Sequence, residues 1–241
     1  MLGTGAIVIA TTQILPQLLP AELGYTAMLA GLVLSPGGLV TLVMMPITGK
    51  LIGVVQPKYL IAAGASIAAL SMWHLTGITS DISYGYAALA RVYLAIGLPL
   101  LFLPVTTASY EGLPPDKTNQ ASALINVARN IGGSMGVALA QSALAQRQQF
   151  HQSRLVEHVA PSDLGYHQTI DAVTRYFQAQ GSNASDAAGQ AIAWIGKTLQ
   201  QQVDFLAYID VFWLLAMIGV VMIPIALSLK HIDLGAPARV H

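Results

Sequence analysis

Six long, mostly apolar runs constrain this chain more than any other feature. They are Met1–Leu19, Thr26–Thr48, Tyr59–Thr79, Gly85–Tyr110, Asn119–Ala145 and Phe205–Leu229. A helix needs about 20 largely apolar residues to cross roughly 30 Å of hydrocarbon, and each run meets or approaches that length. Lipid-crossing strands would alternate polar and apolar residues over short stretches, which these runs do not. Composition agrees. Only 9% of residues are charged and 54% are hydrophobic, whereas a soluble domain carries about 25% charged residues. That is too little charge to clothe a water-facing surface. The expected fold is all-α: a polytopic transmembrane helical bundle of about six spans, surrounded by membrane lipid.

The runs imply an order: five transmembrane helices over 1–145, an extracytoplasmic, periplasmic loop over 146–204, a last transmembrane helix over 205–229 and a tail over 230–241. Lys50, Lys58, Lys117, Lys230 and Arg239 fall on alternate connections, while Glu22 and Asp81 occupy the opposite short loops. The positive-inside rule then places both chain ends in the cytoplasm, with Arg91 as an exception near the outer end of its span. The first run has no basic start and no small-residue cleavage site, so it is not a secretory signal. With no basic flank before it, it reads as a helix cut from a longer chain. Gln146–Val203 is polar. Within it Gly165–Arg175 and Ala187–Gln201 have the pattern of short amphipathic helices, and Gly181-Ser-Asn-Ala-Ser185 that of a turn.

Several functions are excluded. The 11 basic and 11 acidic residues cancel, and nucleic-acid binding needs a basic excess. Without cysteine there is no disulfide, thiolate metal site or cysteine nucleophile. There is no HExxH pair and no phosphate loop. His151 and His158, seven apart with Glu157 adjacent, would share a helical face, but solvated side chains explain them better than a metal. No enzyme activity, metal or cofactor is expected. The sequon Asn183-Ala-Ser185 is a common chance match.

Polar residues inside spans are the informative ones, because charge is expensive in lipid. In the fifth run Ser122, Asn126, Arg129, Gly133, Gly136 and Ala140 follow helical spacing and share a face. Gly132 and Gly136 form a pair that admits a close helix neighbour. Asn126 and Arg129 are candidates for a substrate or proton pathway, with a snorkelling arginine as the alternative. Gln13 in the first span is a further candidate. Asp210 opens the last span and either carries a proton or binds the helix start. Glu111 and His74 read as interfacial. Pro36-Gly37-Gly38, Pro99 and Pro104 interrupt their spans, and helices broken near the midplane are typical of transporters that alternate access.

The run Gly112-Leu-Pro-Pro-Asp-Lys-Thr-Asn-Gln-Ala-Ser-Ala-Leu-Ile-Asn-Val-Ala-Arg-Asn-Ile-Gly-Gly-Ser-Met-Gly136 resembles the fourteen-span drug:proton antiporters of the major facilitator superfamily, the EmrB/QacA type. Gly24-Tyr-Thr-Ala27, Ala30-Gly31, Ser35-Pro-Gly-Gly38, Pro46-Ile-Thr-Gly49 and Tyr208-Ile-Asp-Val-Phe-Trp213 extend the resemblance along the chain. It implies the carboxy-terminal half, spans nine to fourteen, of a bacterial inner-membrane exporter that exchanges protons for amphipathic compounds. Its implied partners are a small amphipathic substrate, protons, the missing amino-terminal half and a periplasmic adaptor protein. Two departures stand out. The first-half acids thought to bind the coupling proton are absent. In the loop Gly49–Leu60, Gly53 and Val54 replace an acid and an arginine that often stand there. The rival reading is a six-span membrane assembly or regulatory protein without transport.

Overall fold

The computed structural model describes residues 2–22, 24–79, 84–110, 114–157 and 164–229. Asp81, Glu111, His158, Lys230 and Arg239 lie outside these residues, as does the side chain of Glu22. The helices are α1 (Leu2–Glu22), α2 (Ala27–Ile52), α3 (Pro57–Thr76), α4 (Tyr84–Tyr110), α5 (Thr118–Val156), α6 (Leu164–Ala179) and α7 (Ala184–Leu227), with a 3-10 turn at Pro115–Lys117. No strand occurs among the described residues. The chain divides into two compact units, Met1–Ser142 with Val211–His241, and Ala143–Asp210.

Local chemistry sets the helix ends. Thr26 caps α2 by accepting from the Leu29 N–H at 3.3 Å. Pro57 opens α3, at the first-turn position where its missing N–H costs nothing. Asn183 caps α7. Its Oδ1 accepts from the Asp186 N–H at 2.8 Å, and its Nδ2 donates to the Asp186 carboxylate at 2.7 Å.

Among the described residues, five helices are long and apolar enough to cross a membrane: α1, α2, α3, α4 and α7. The fifth run of the sequence, now α5, is long enough but too polar. It packs closely on α1, which is apolar enough to cross. Gly132 packs on Leu2, Gly136 on Ala6, and Gln141 donates to Gln17 at 2.8 Å. α5 therefore runs parallel to α1 along most of α1's length. Counted with the five apolar helices, it gives the bundle of about six long helices that the sequence implies.

In the first unit α3 is the most enclosed helix. Ile61, Ala62 and Ala65 meet Ile7 of α1, Leu101 of α4 and Ala226 of α7 in one apolar cluster. Two glycines set the α3–α4 distance. A Cβ on Gly64 would stand 2.5 Å from the Leu101 nitrogen and 2.7 Å from the Gly97 carbonyl oxygen, so only glycine lets these backbones approach. Ser71 then donates to the Ala90 carbonyl at 2.7 Å. Trp73 of α3 meets Trp213 of α7 edge-on at 4.5 Å. Contacts from Gly64 to Leu101 and from Ala69 to Gly219 make α3 antiparallel to α4 and α7, whereas Gly37 to Arg91 makes α2 and α4 parallel.

In the second unit the segments expected as amphipathic helices are helical, Gly165–Arg175 within α6 and Ala187–Gln201 within α7, and both helices are longer than the pattern suggested. α5 continues to Val156, α6 follows, and α7 begins at Ala184. Ala187–Gln201 is thus the first part of one 44-residue helix that ends at Leu227. Ala187, Ala191, Val203 and Ala207 are fully buried there.

Candidate functional site: a polar groove between α1 and α5

α1 and α5 touch through small residues. A Cβ on Gly136 would stand 2.6 Å from the Ala6 Cα, and one on Gly132 would collide with the Leu2 carbonyl. Gly5 of α1 packs in the same way against the Arg129 backbone, and Gly133 holds the tip of Ile9. Such contact leaves the flanks of both helices uncovered. There a groove of about 480 Å³ is lined by Ile9, Gln13, Asn130, Gly133, Ser134, Val137 and Ala138. Gln13, Asn126, Asn130 and Ser134 are all exposed on this unit. One turn further on, the Gln17–Gln141 hydrogen bond bridges the two helices.

The polar face of α5 is therefore rotated from the one read in the sequence. Gly132, Gly133, Gly136 and Ala140 are buried, whereas Asn126, Asn130 and Ser134 form the open stripe. Their spacing of four was the signal for Asn130 and Ser134, which the sequence reading left out. Gln13 enters the groove lining; Asn126 and Arg129 do not. Arg129 instead donates to the Asn126 Oδ1 at 2.8 Å and lies over the Phe102 ring of α4 at 5.3 Å. Ser134 also stands between Gly132 and Gly136 in the Gly-x-Ser-x-Gly spacing of hydrolase nucleophiles. It sits on an uninterrupted helix, not on a strand-to-helix turn, and no histidine or acid lines the groove.

Asp210 belongs to the other unit. Its Oδ2 accepts from Arg147 Nε and meets His151 Nε2, each at 2.6 Å. Asp204, two turns earlier, accepts from Gln148 at 2.7 Å and Gln200 at 3.0 Å. These bonds tie the later part of α5 to α7.

The interrupting prolines have distinct surroundings. Pro99 and Pro104 are buried in α4, on either side of Leu101. Gly37 is buried, and the Arg91 side chain crosses it; Gly38 faces open space. Pro36 leaves the Leu32 carbonyl without a helical donor, and Tyr84 of α4 donates to it at 2.9 Å.

The Major Facilitator Superfamily model matches residues 1–137. The chain is 29% identical over 224 residues to the Multidrug export protein EmrB of Escherichia coli K12, covering 92% of this chain and 41% of that protein. It is 26% identical over 219 residues to the Fatty acid resistance protein FarB of Neisseria gonorrhoeae, covering 91% and 42%. To the Lincomycin resistance protein LmrB of Bacillus subtilis it is 28% identical over 156 residues, covering 65% and 33%. The chain thus spans about two-fifths of the length of the first two. An all-helical, multi-pass membrane bundle with these matches belongs to the Major Facilitator Superfamily.

Proposed function

We propose that the chain is the carboxy-terminal half of a proton-coupled exporter of drugs or other amphipathic compounds in a bacterial inner membrane. The observation that carries this reading is the groove between α1 and α5. Its polar side chains stand uncovered at span depth, where contact with lipid is costly. They suit a water-filled pathway closed by a second set of helices, as expected where a transporter binds its cargo between two halves. The names of the relatives, which refer to multidrug export, fatty acids and lincomycin, support amphipathic cargo.

In this reading Gln13, Asn130 and Ser134 line the pathway, and Arg129 with Asn126 borders it at the cytoplasmic end. Gly132, Gly133 and Gly136 are the packing surface of α5, and the prolines are points where helices bend. Asp210, early in the last span, holds α5 to α7 through Arg147 and His151, and the 146–204 region before it is where a periplasmic adaptor would meet the chain. Both chain ends lie in the cytoplasm. Proton coupling rests on the family alone.

Because the chain has no cysteine, single cysteines can report on the groove. In the complete transporter, Asn130→Cys and Ser134→Cys should react with a charged, membrane-impermeant thiol reagent, and an exported drug should protect both. Leu70→Cys, on the outward face of α3, should not react. Failure of both groove positions to label in any condition would sink the pathway reading. Efflux that survives collapse of the proton gradient would sink proton coupling.

A further inference from the structure

α1 and α5 face each other in one repeating register. Gly5 packs on the Arg129 backbone, Ile9 on Gly133, and Gln17 bonds Gln141 at 2.8 Å. The partners in each pair stand 124 residues apart. Between the last two pairs the same register sets Gln13 opposite Val137, and both line the groove of about 480 Å³. Where Gln17 meets a second carboxamide, Gln13 therefore meets an isopropyl group, which neither donates nor accepts. Gln13 is exposed, and its side chain has no hydrogen-bond partner among the described residues. The same holds for Asn130 and Ser134, which α5 contributes to the lining.

These groups define a narrow chemistry. Two carboxamides and a hydroxyl supply donors and acceptors together, and Ile9, Val137 and Ala138 supply apolar surface in the same groove. No charged or aromatic side chain is in the lining. Arg129, next to Asn130 in sequence, is turned to Asn126 and the Phe102 ring instead. Gln13 stands about 16 Å along a helix of about 31 Å, near the middle of the span. An ion held there away from water needs a counter-charge or an aromatic cage, and the lining offers neither. A neutral amide needs one acceptor for its N–H and one donor for its carbonyl. The Gln17–Gln141 bond shows that paired carboxamides suit this interface.

We propose that the groove binds an uncharged amphiphile through an amide group, whose N–H and carbonyl are met by Gln13 and Asn130 while its apolar body lies on Ile9, Val137 and Ala138. That this ligand is cargo rests on the pathway reading above; that it binds does not.

The test uses the full chain in phosphatidylcholine nanodiscs, with uptake by empty nanodiscs subtracted. The probes share one tail length: N-methyldodecanamide, methyl dodecanoate, dodecyltrimethylammonium and laurate. The amide and the ester differ only in N–H against O, so their ratio reads the donated hydrogen bond. The amide should bind about tenfold more tightly than the ester, and neither ion should bind more tightly than the ester. Gln13→Met should lower that preference about threefold, and adding Asn130→Leu should remove the rest. Unchanged ester binding shows that the variants are folded. Gln13→Glu, nearly equal in shape, supplies a counter-charge and should make dodecyltrimethylammonium the tightest of the probes in mildly alkaline buffer. A wild type with no preference for the amide overturns the proposal, and so does a preference that survives both apolar substitutions. Tighter binding of either ion than of the amide by the wild type overturns it too, as does an unchanged order of probes with Gln13→Glu. Thiol labelling of Asn130→Cys and Ser134→Cys in the complete transporter is scored separately: its failure sinks the pathway reading and leaves the binding result standing.

Discussion

Tyr84 of α4 donates its phenolic hydrogen to the carbonyl of Leu32, at 2.9 Å, and Leu32 is the residue that Pro36 deprives of its donor. A proline four residues on has no N–H to give, and a bare carbonyl at membrane depth costs several kcal/mol. The interruption of α2 is therefore repaired by its neighbour, and the two helices are joined at the break.

Tyr84→Phe removes that repair and should destabilise the chain by about 1 kcal/mol. Pro36→Ala restores the helical donor, so Tyr84→Phe should cost little in that background. A double-mutant cycle of unfolding in mild detergent measures the coupling. Equal costs in both backgrounds would separate the two residues.

Gly136→Ala would press a methyl group to 2.6 Å from the Ala6 Cα. Overpacking of this kind costs about 1–3 kcal/mol, read as a lower melting temperature. Gly38→Ala meets nothing within 4 Å and should gain about 0.5–1 kcal/mol from helix propensity. The opposite signs are the prediction. Two variants that melt alike would argue against close α1–α5 contact.

Asp210→Asn keeps the shape of the side chain and removes the charge that Arg147 and His151 share. The Arg147 and Asp210 side chains are 43% and 26% exposed, so the loss is about 1 kcal/mol, below that of a buried pair. Amide hydrogen exchange around 147–151 and 207–210 should quicken roughly fivefold at that cost. Exchange left unchanged would show that the Asp204 bonds alone hold this region.

Arg129→Ala deletes the bond to Asn126 and the contact with Phe102. In the complete transporter it should lower drug resistance several-fold at normal abundance, with a stability loss of about 1 kcal/mol. Full resistance would remove Arg129 from the mechanism.

The apolar runs were legible because lipid imposes a length and a composition. α5 was read as a span from a mostly apolar run of near-spanning length, although Asn126, Arg129, Asn130 and Ser134 make it the most polar of the six. The close α1–α5 contact gives those polar residues a place: they flank or line a groove. Which side that is was misread. Gly133 and Gly136 look like part of a polar face in a one-dimensional pattern, and only the packing of Ala6 and Ile9 assigns them to the contact. The region after Gln146 reads as a loop because hydropathy reports where lipid ends, not where a helix ends. Its Ala, Gln and Arg residues are good helix formers, and that signal was available. The repair of Leu32 by Tyr84 joins residues far apart in sequence and leaves no local trace.

The α1–α5 contact also fixes an order of assembly. Gly132 meets Leu2, yet it is made about 130 residues later. At roughly 5–20 residues per second, the ribosome leaves α1 waiting about 6–26 s for its partner. During that interval Gln13 and Gln17 stand on a newborn helix in the bilayer with no α5 beside them. The last step in building this part of the wall is the late docking of α5, and until then the young helix depends on whatever shields its polar side.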